Sequence, residues 1–375
     1  MNRNKRNIRI IAAIVAAVII VVAINTIDKK NAETGTLRIG DVTTLTGSAA
    51  FIGQSSMKGA EIGKLKAESE HPGLSIELFH EDSLFTPKGG IDAYTKLRDT
   101  QHIDALITTA SNVSVAVRPV AANDNILHVA ASSLATNFSS PDDLSFRLTA
   151  TADNEAAPAI AYLQSKGLKK LGILYMNNEI GVSLKDSLKK TAAATDVKIV
   201  AEEGFAVDIK DFRSQIIKLK AAGADSVYIA GIAPLIAVAL TQAKELSLNV
   251  PFVSYRAAED PILIANAGKF AEGIIYTSAY DINNDSAENK EFREGYMKKY
   301  GEQPNNYAAE TYEAVRLIAD ARTQCGADMD CTKKFMSSVK NRESLFGPLS
   351  FDASGDVKYN FFLKTVKDGK FVKAN

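Results

Sequence analysis

Residues 107–135 read ITTASNVSVAVRPVAANDNILHVAASSLA. Leu106 and Ile107 close a short apolar run, which predicts a strand, and Thr108 to Asn112 form a small polar turn. The pattern then predicts a helix over 113–122 and a second strand over 126–129, ended by Ser132 and Ser133. Strand, turn, helix, strand in that order is the unit of a parallel sheet. Parallel pairing would bring both polar turns to one sheet edge, where helix N-terminal amides and hydroxyls converge. Such a corner suits an anionic group such as a carboxylate and needs no catalytic residue.

The same alternation extends in both directions. Upstream, strands are predicted at 37–40 and 74–79, with helices over 55–68 and 87–99. The loop 43–53 is rich in Thr, Gly, Ser and Ala. Downstream, helices over 154–165, 182–194, around 212–219 and from Pro234 alternate with strands at 171–176, 197–201, 226–230, 252–253 and 274–276. Gly167 and Gly223 serve as helix stops, and Pro234 as a helix start. From Ala287 the pattern turns helical. Ala314, Leu317, Ile318 and Ala321 define one face of a helix over 306–323, and the last 30 or so residues look like short strands and hairpins. The fold class is therefore α/β: two doubly wound parallel-sheet lobes with ligand chemistry between them. A chain of 375 residues is long enough for two cores.

Composition excludes little beyond nucleic acid. Forty-four basic residues balance forty-four acidic ones, and 46% of the chain is hydrophobic. Residues 1–24 stand apart: Arg3, Lys5, Arg6 and Arg9 precede fifteen apolar residues, Ile10 to Ile24. At ~1.5 Å each these span about 22 Å, short of a ~30 Å hydrocarbon core and at the upper end of a signal-peptide apolar region. The segment reads as a signal peptide cleaved after Ala23 or as an uncleaved anchor, followed by a polar linker over 25–35. Either way the rest is exported, extracytoplasmic, and touches membrane only through this segment. No Cys precedes Cys325, so a bacterial lipoprotein anchor is excluded. Cys325 and Cys331 enclose a five-residue turn and, in an exported chain, favour a local disulfide over free thiols.

No catalytic motif emerges. Gly167 and Gly172 have phosphate-loop spacing, but Ile173 stands where the lysine belongs. No G-x-S-x-G, H-E-x-x-H or G-x-G-x-x-G occurs, and His71, His80, His102 and His128 are not paired at metal-ligand spacing. His80-Glu81-Asp82 reads as a strand end with Asp82 capping locally, and His128 as a core histidine. The chain is not read as an enzyme and calls for no cofactor.

Several motifs, in order, resemble type I periplasmic binding proteins of the branched-chain amino acid branch, which feed ABC importers. They are Leu45 to Gly53 with Gly59-Ala60, Asp82 with Pro87, and Ser111 to Pro119 with Ile126-Leu127 and Ser132-Ser133. Further on come Asp211-Phe212, Leu219-Lys220 and Asp225 to Gly231, and last Gly347-Pro348-Leu349, Phe351-Asp352 and Gly355-Asp356. Each is weak alone, and together they cover residues 36–375. The resemblance implies two α/β lobes joined by three crossovers that close on a ligand as a hinged clamp. The crossings would fall near 149–153, 277–280 and 345–348. That gives one lobe of residues 36–150 plus 279–345 and another of 151–278 plus 346–375.

The resemblance also implies site residues. Ser111 occupies the position of a serine that holds the ligand α-carboxylate, aided by groups of Ser132, Ser133 and Leu134; Leu134 stands where a threonine often sits. Phe51 belongs to the same rim. Pocket tyrosines of the family correspond to Ile52, Ile180 and Ile232, and the acidic residue that holds an α-ammonium corresponds to Arg256. An ammonium would be repelled by Arg256, whereas an anionic group could receive a bidentate contact. The other role open to Arg256 is an ion pair between the lobes or at the surface, with Glu259 or Asp260. The expected function is thus an exported receptor of an ABC importer. Its ligand would be a small carboxylate-bearing molecule, amino acid-like or a deaminated apolar acid, and its partner an inner-membrane permease. The alternative is a regulatory module of the same fold that signals to a partner.

Overall fold

The computed structural model describes residues 35–374. The signal or anchor segment at 1–24, and the linker before Gly35, lie outside the described residues. Among the described residues, no helix is long and apolar enough to cross a membrane.

Among the described residues, twelve strands form two sheets. The first comprises β1 (Thr36–Thr43), β2 (Ser75–Asp82), β3 (Ala105–Thr109), β4 (Leu127–Ser132) and β5 (Ser145–Arg147), in the order β2-β1-β3-β4-β5, all parallel. Thr109 of β3 is in register with Ser132 of β4, so the two polar turns of the opening stretch do meet at one edge. Three helices connect these strands: α1 (Ala50–Glu70), α2 (Pro87–Lys96) and α3 (Ser111–Asn123). The second sheet contains β6 (Lys170–Met176), β7 (Lys198–Phe205), β8 (Ser226–Ala230), β9 (Phe252–Ser254) and β10 (Ile275–Ser278). Its remaining strands, β11 (Phe362–Lys367) and β12 (Lys370–Lys373), form an antiparallel hairpin on the β10 edge. Helices α4 (Ala152–Ser165), α5 (Glu179–Ala192), α6 (Arg213–Ala221), α7 (Ala233–Glu245) and α8 (Pro261–Ala267) belong to this lobe.

The chain then returns to the first lobe through α9 (Ala287–Tyr300), α10 (Asn306–Cys325) and α11 (Met329–Ser338). Helix α10 lies directly along α1 because α1 is thinned by glycine. A Cβ on Gly59 would sit 2.1 Å from the Ala308 carbonyl, and one on Gly63 2.7 Å from that of Tyr312. The Cys325–Cys331 disulfide forms as expected, tying the end of α10 to the first turn of α11.

Two expectations change. Gly347-Pro348-Leu349 is not a strand; the segment makes only the isolated bridges Arg342↔Leu349 and Phe351↔Val357. Leu349, Phe351 and Val357 are buried in the core of the first sheet, with Phe351 5.1 Å from Phe146. The last crossing therefore comes after Val357, not at 345–348, because these apolar residues complete the first core before β11 joins the second sheet. His80-Glu81-Asp82 is a strand end, as expected: β2 runs through it, with His80 and Glu81 in register with Asp41 and Val42.

Candidate functional site

In both sheets the strand order reverses beside the first strand of the lobe, between β1 and β3 and between β6 and β8. Loops leaving the carboxyl ends of those strands diverge there and open a crevice. The two crevices face each other. One pocket between them is lined by Ile52, Ala110, Ser132, Leu134 and Tyr307 of the first lobe and by Ile180, Ile232, Tyr255 and Arg256 of the second. Ile52 follows β1, Ala110 follows β3, and Ser132 with Leu134 ends β4. Opposite them, Ile180 follows β6, Ile232 follows β8, and Tyr255 with Arg256 follows β9. Of the expected contact residues, the structure brings Ile52, Ser132, Leu134, Ile180, Ile232 and Arg256 around one space. It sets Ser111, Ser133 and Phe51 just behind it. The space is tight, ≈ 10 Å³, about what a single water needs.

The Ser111 hydroxyl accepts a hydrogen bond from the Leu134 amide at 2.9 Å, clasping the two turns together. Its own proton remains to be donated. Ala110, just before it, has φ +76, a conformation an L side chain adopts only under strain of about 1–3 kcal/mol. The strand pairing holds it there, since the Ala110 amide donates to the Ser132 carbonyl at 2.8 Å. Ser133 is buried; its carbonyl accepts from Arg147 Nη1 at 3.3 Å, and Arg147 also reaches the Ala135 carbonyl at 2.5 Å. That guanidinium, fully buried and paired with Asp356, fixes the loop that carries Leu134. Phe51 packs edge-to-face on Tyr307, ring centres 6.0 Å apart.

Arg256 is the charged centre. Its Nη2 donates to Ser132 Oγ at 2.8 Å, its Nη1 lies 2.7 Å from Glu310 Oε1, and its Nε lies 4.0 Å from Glu155 Oε1. The guanidinium also lies over the Tyr307 ring, 5.5 Å from its centre. Arg256 belongs to the second lobe, whereas Ser132 and Glu310 belong to the first, so both close contacts cross the crevice. The bidentate fork expected for a ligand is thus already engaged. Glu259 and Asp260 are not its partners: Glu259 pairs with Lys364, and Asp260 accepts from Asn305 Nδ2 at 3.1 Å. Burial pushes the Glu155 and Glu310 carboxyls up, each to about 7, against the pull of Arg256. Burial likewise opposes the charge of Arg256, but Glu310, Tyr307 and Glu155 outweigh it and raise its pKa.

Sequence reasoning missed Tyr255, Tyr307, Glu155 and Glu310. A signal for two of them existed. The apolar face marked by Ala314 and Leu317, continued one heptad back, falls on Tyr307 and Glu310, a charge on a buried stripe. His128 is a core residue as read: its Nε2 bonds Thr108 Oγ1 at 2.8 Å, and burial pushes its imidazole down to about 3. Among the described residues no cluster of three or more His, Cys, Asp or Glu could hold a metal ion.

Comparison with known proteins agrees with this geometry. A family model described as periplasmic binding protein matches residues 36–370. The chain belongs to that family. Its members are substrate-binding proteins of ABC transporters and not enzymes, and membership implies an extracytoplasmic location. This binding protein is 26% identical over 349 residues to the Leu/Ile/Val-binding protein homolog 2 of Brucella abortus, covering 89% of this chain and 92% of the relative. Among solved structures, it is similar to a branched-chain amino acid transporter substrate-binding protein of Streptococcus pneumoniae in complex with isoleucine. That likeness has a TM-score of 0.82 at 22% identity, covering 90% of this chain and all (100%) of the other. It is equally similar to an R. palustris solute-binding protein in complex with benzoate, with a TM-score of 0.82 at 23% identity and coverage of 90% and 95%.

Proposed function

We propose that this periplasmic binding protein is the receptor of an ABC importer for a small monocarboxylate with an apolar body, gripped between the lobes by hinge closure. The observation that carries this reading is the pocket itself: three isoleucines from three different strand ends wall a space that ends on Ser132, with the Ser111 hydroxyl just behind it. Ser111 can donate its proton to a carboxylate while still accepting from Leu134. Ile52, Ile180 and Ile232 offer apolar contact and no polar group to an amine. Glu310 and Glu155, the nearby acids, are already held by Arg256 and Thr277. A deaminated acid fits these partners better than a zwitterion. Isoleucine and benzoate, bound by the two structural neighbours above, each place one carboxylate on an apolar body. The lining residues are almost wholly buried, so solute enters only when the lobes part and settles as they close around it. Residues 1–24 direct export, as a signal or as an anchor.

A thermal-shift panel on the full chain tests the reading. It contains branched-chain and aromatic amino acids, their deaminated acids, short dicarboxylates and amides. Stabilisation by the deaminated acids is the expected result, and stabilisation by zwitterions alone rejects it. Mass spectrometry of the mature N-terminus decides between a cleaved signal and a retained anchor.

A further inference from the structure

A guanidinium in a binding pocket is normally an anchor for an anion, and Arg256 lines this one. Its surroundings argue otherwise. Nη1 faces Glu310 at 2.7 Å, Nη2 is spent on Ser132 at 2.8 Å, and Glu155 stands 4.0 Å from Nε. Both carboxylates are fully buried, and each keeps one oxygen, Glu155 Oε1 and Glu310 Oε2, with no hydrogen-bond partner. Two carboxylates therefore surround one guanidinium where water does not screen them. With both ionised the trio carries one net negative charge, and with one protonated it is neutral. While both are ionised the trio repels a further anion, since like charges repel strongly at short range in such surroundings, and that repulsion is lifted once Glu310 is neutral.

We propose that Glu310 is a specificity-determining residue: by occupying Arg256 it restricts the pocket to ligands with a single carboxylate and rejects dicarboxylates. The inference rests on the reading of the Ser111 corner as the carboxylate site. Glu310 comes from α10 of the first lobe and Arg256 from the loop after β9 of the second, so the filter is assembled only where the lobes meet. The groups facing Glu310 are Arg256 and Glu155, the phenols of Tyr307 and Tyr359, and the hydroxyls of Ser132 and Thr149. None of these supplies a second positive charge. Sequence alone points the other way, toward Arg256 as an anion receptor, because Glu310 is remote in the chain.

The test is calorimetric titration of the full chain with benzoate and with terephthalate, the same ring carrying one or two carboxylates. The native protein is expected to bind benzoate and to discriminate against terephthalate. Glu310→Gln frees the guanidinium and should shift the preference toward terephthalate by at least about tenfold. Glu310→Asp, which keeps the charge, should retain the discrimination. The native chain offers a second arm should the Gln variant fail to fold. Between about pH 8 and about pH 6 both probes stay ionised while Glu310 gains a proton, so the preference should move the same way. A preference that stays within about twofold in the Gln variant and across the pH range overturns the role of Glu310 alone. Failure of benzoate and every other monocarboxylate to bind overturns the carboxylate reading, and this inference with it.

Discussion

Arg256 holds together charges that have no other counter-ion in the crevice among the described residues. Truncating it to alanine leaves Glu155 and Glu310 buried without a cation, and such a loss costs about 3–5 kcal/mol. Urea unfolding of Arg256→Ala near neutral pH should show a drop of that size, and the drop should shrink in acid as both carboxyls protonate. The two carboxyls also set a slope in the native chain. Their folded pKa values are pushed up to about 7 from an ordinary 4.5, so between those values the folded state holds more protons than the unfolded one. Their contribution is most favourable below that window and declines as pH rises through it. Glu155→Gln removes one such group, and its stability should fall less steeply over the same range in a series of unfolding curves. At this scale the sequence was legible in kind and not in partner. Arg256 was visible as a charge where the family keeps an acid, but its counter-ion lies 54 positions along the chain, beyond the reach of local spacing. The neighbours Glu259 and Asp260, which spacing favoured, turn toward Lys364 and Asn305 instead.

Helix α1 owes its position to what it lacks. Gly59 and Gly63 let it lie against the backbone of α10 at a distance no side chain tolerates. Gly59→Ala would have to push the helices apart, and a loss of about 1–3 kcal/mol in unfolding free energy is expected, with reduced solute affinity because α10 carries Tyr307 and Glu310. The disulfide behaves differently. It closes a loop of only six positions between α10 and α11, far from the crevice. Its replacement by two serines should cost about 2 kcal/mol of stability and leave affinity unchanged in titration. Elements were the most readable level of this chain. Parallel strands buried on both faces give short apolar runs, and the helices between them carry clear stops such as Gly167 and Gly223. Less readable were elements defined by tertiary partners. Leu349, Phe351 and Val357 resemble strand residues in composition, yet they fill the first core as an irregular segment, which displaces the last crossing.

At the scale of the molecule, the crevice has little room while its walls touch, so the proposed hinge closure makes binding and movement one event. Solute at 100 times its dissociation constant should add about 2.7 kcal/mol to the unfolding free energy, read from denaturant curves with and without ligand. Small-angle scattering should show a narrower distribution of shapes under the same conditions. An unchanged profile together with unchanged stability would contradict hinge closure. The chain path has a consequence of its own. Each lobe is interrupted by the other: the first needs α9 to α11 and the segment through Val357, and the second needs its final hairpin. In that hairpin Lys364, buried in β11, supplies the only cation recorded beside Glu259 among the described residues. The first core is therefore incomplete without the segment through Val357, and the second sheet without β11 and β12. A polypeptide threaded this way cannot finish one lobe before beginning the other, so its two lobes share one late stage of assembly.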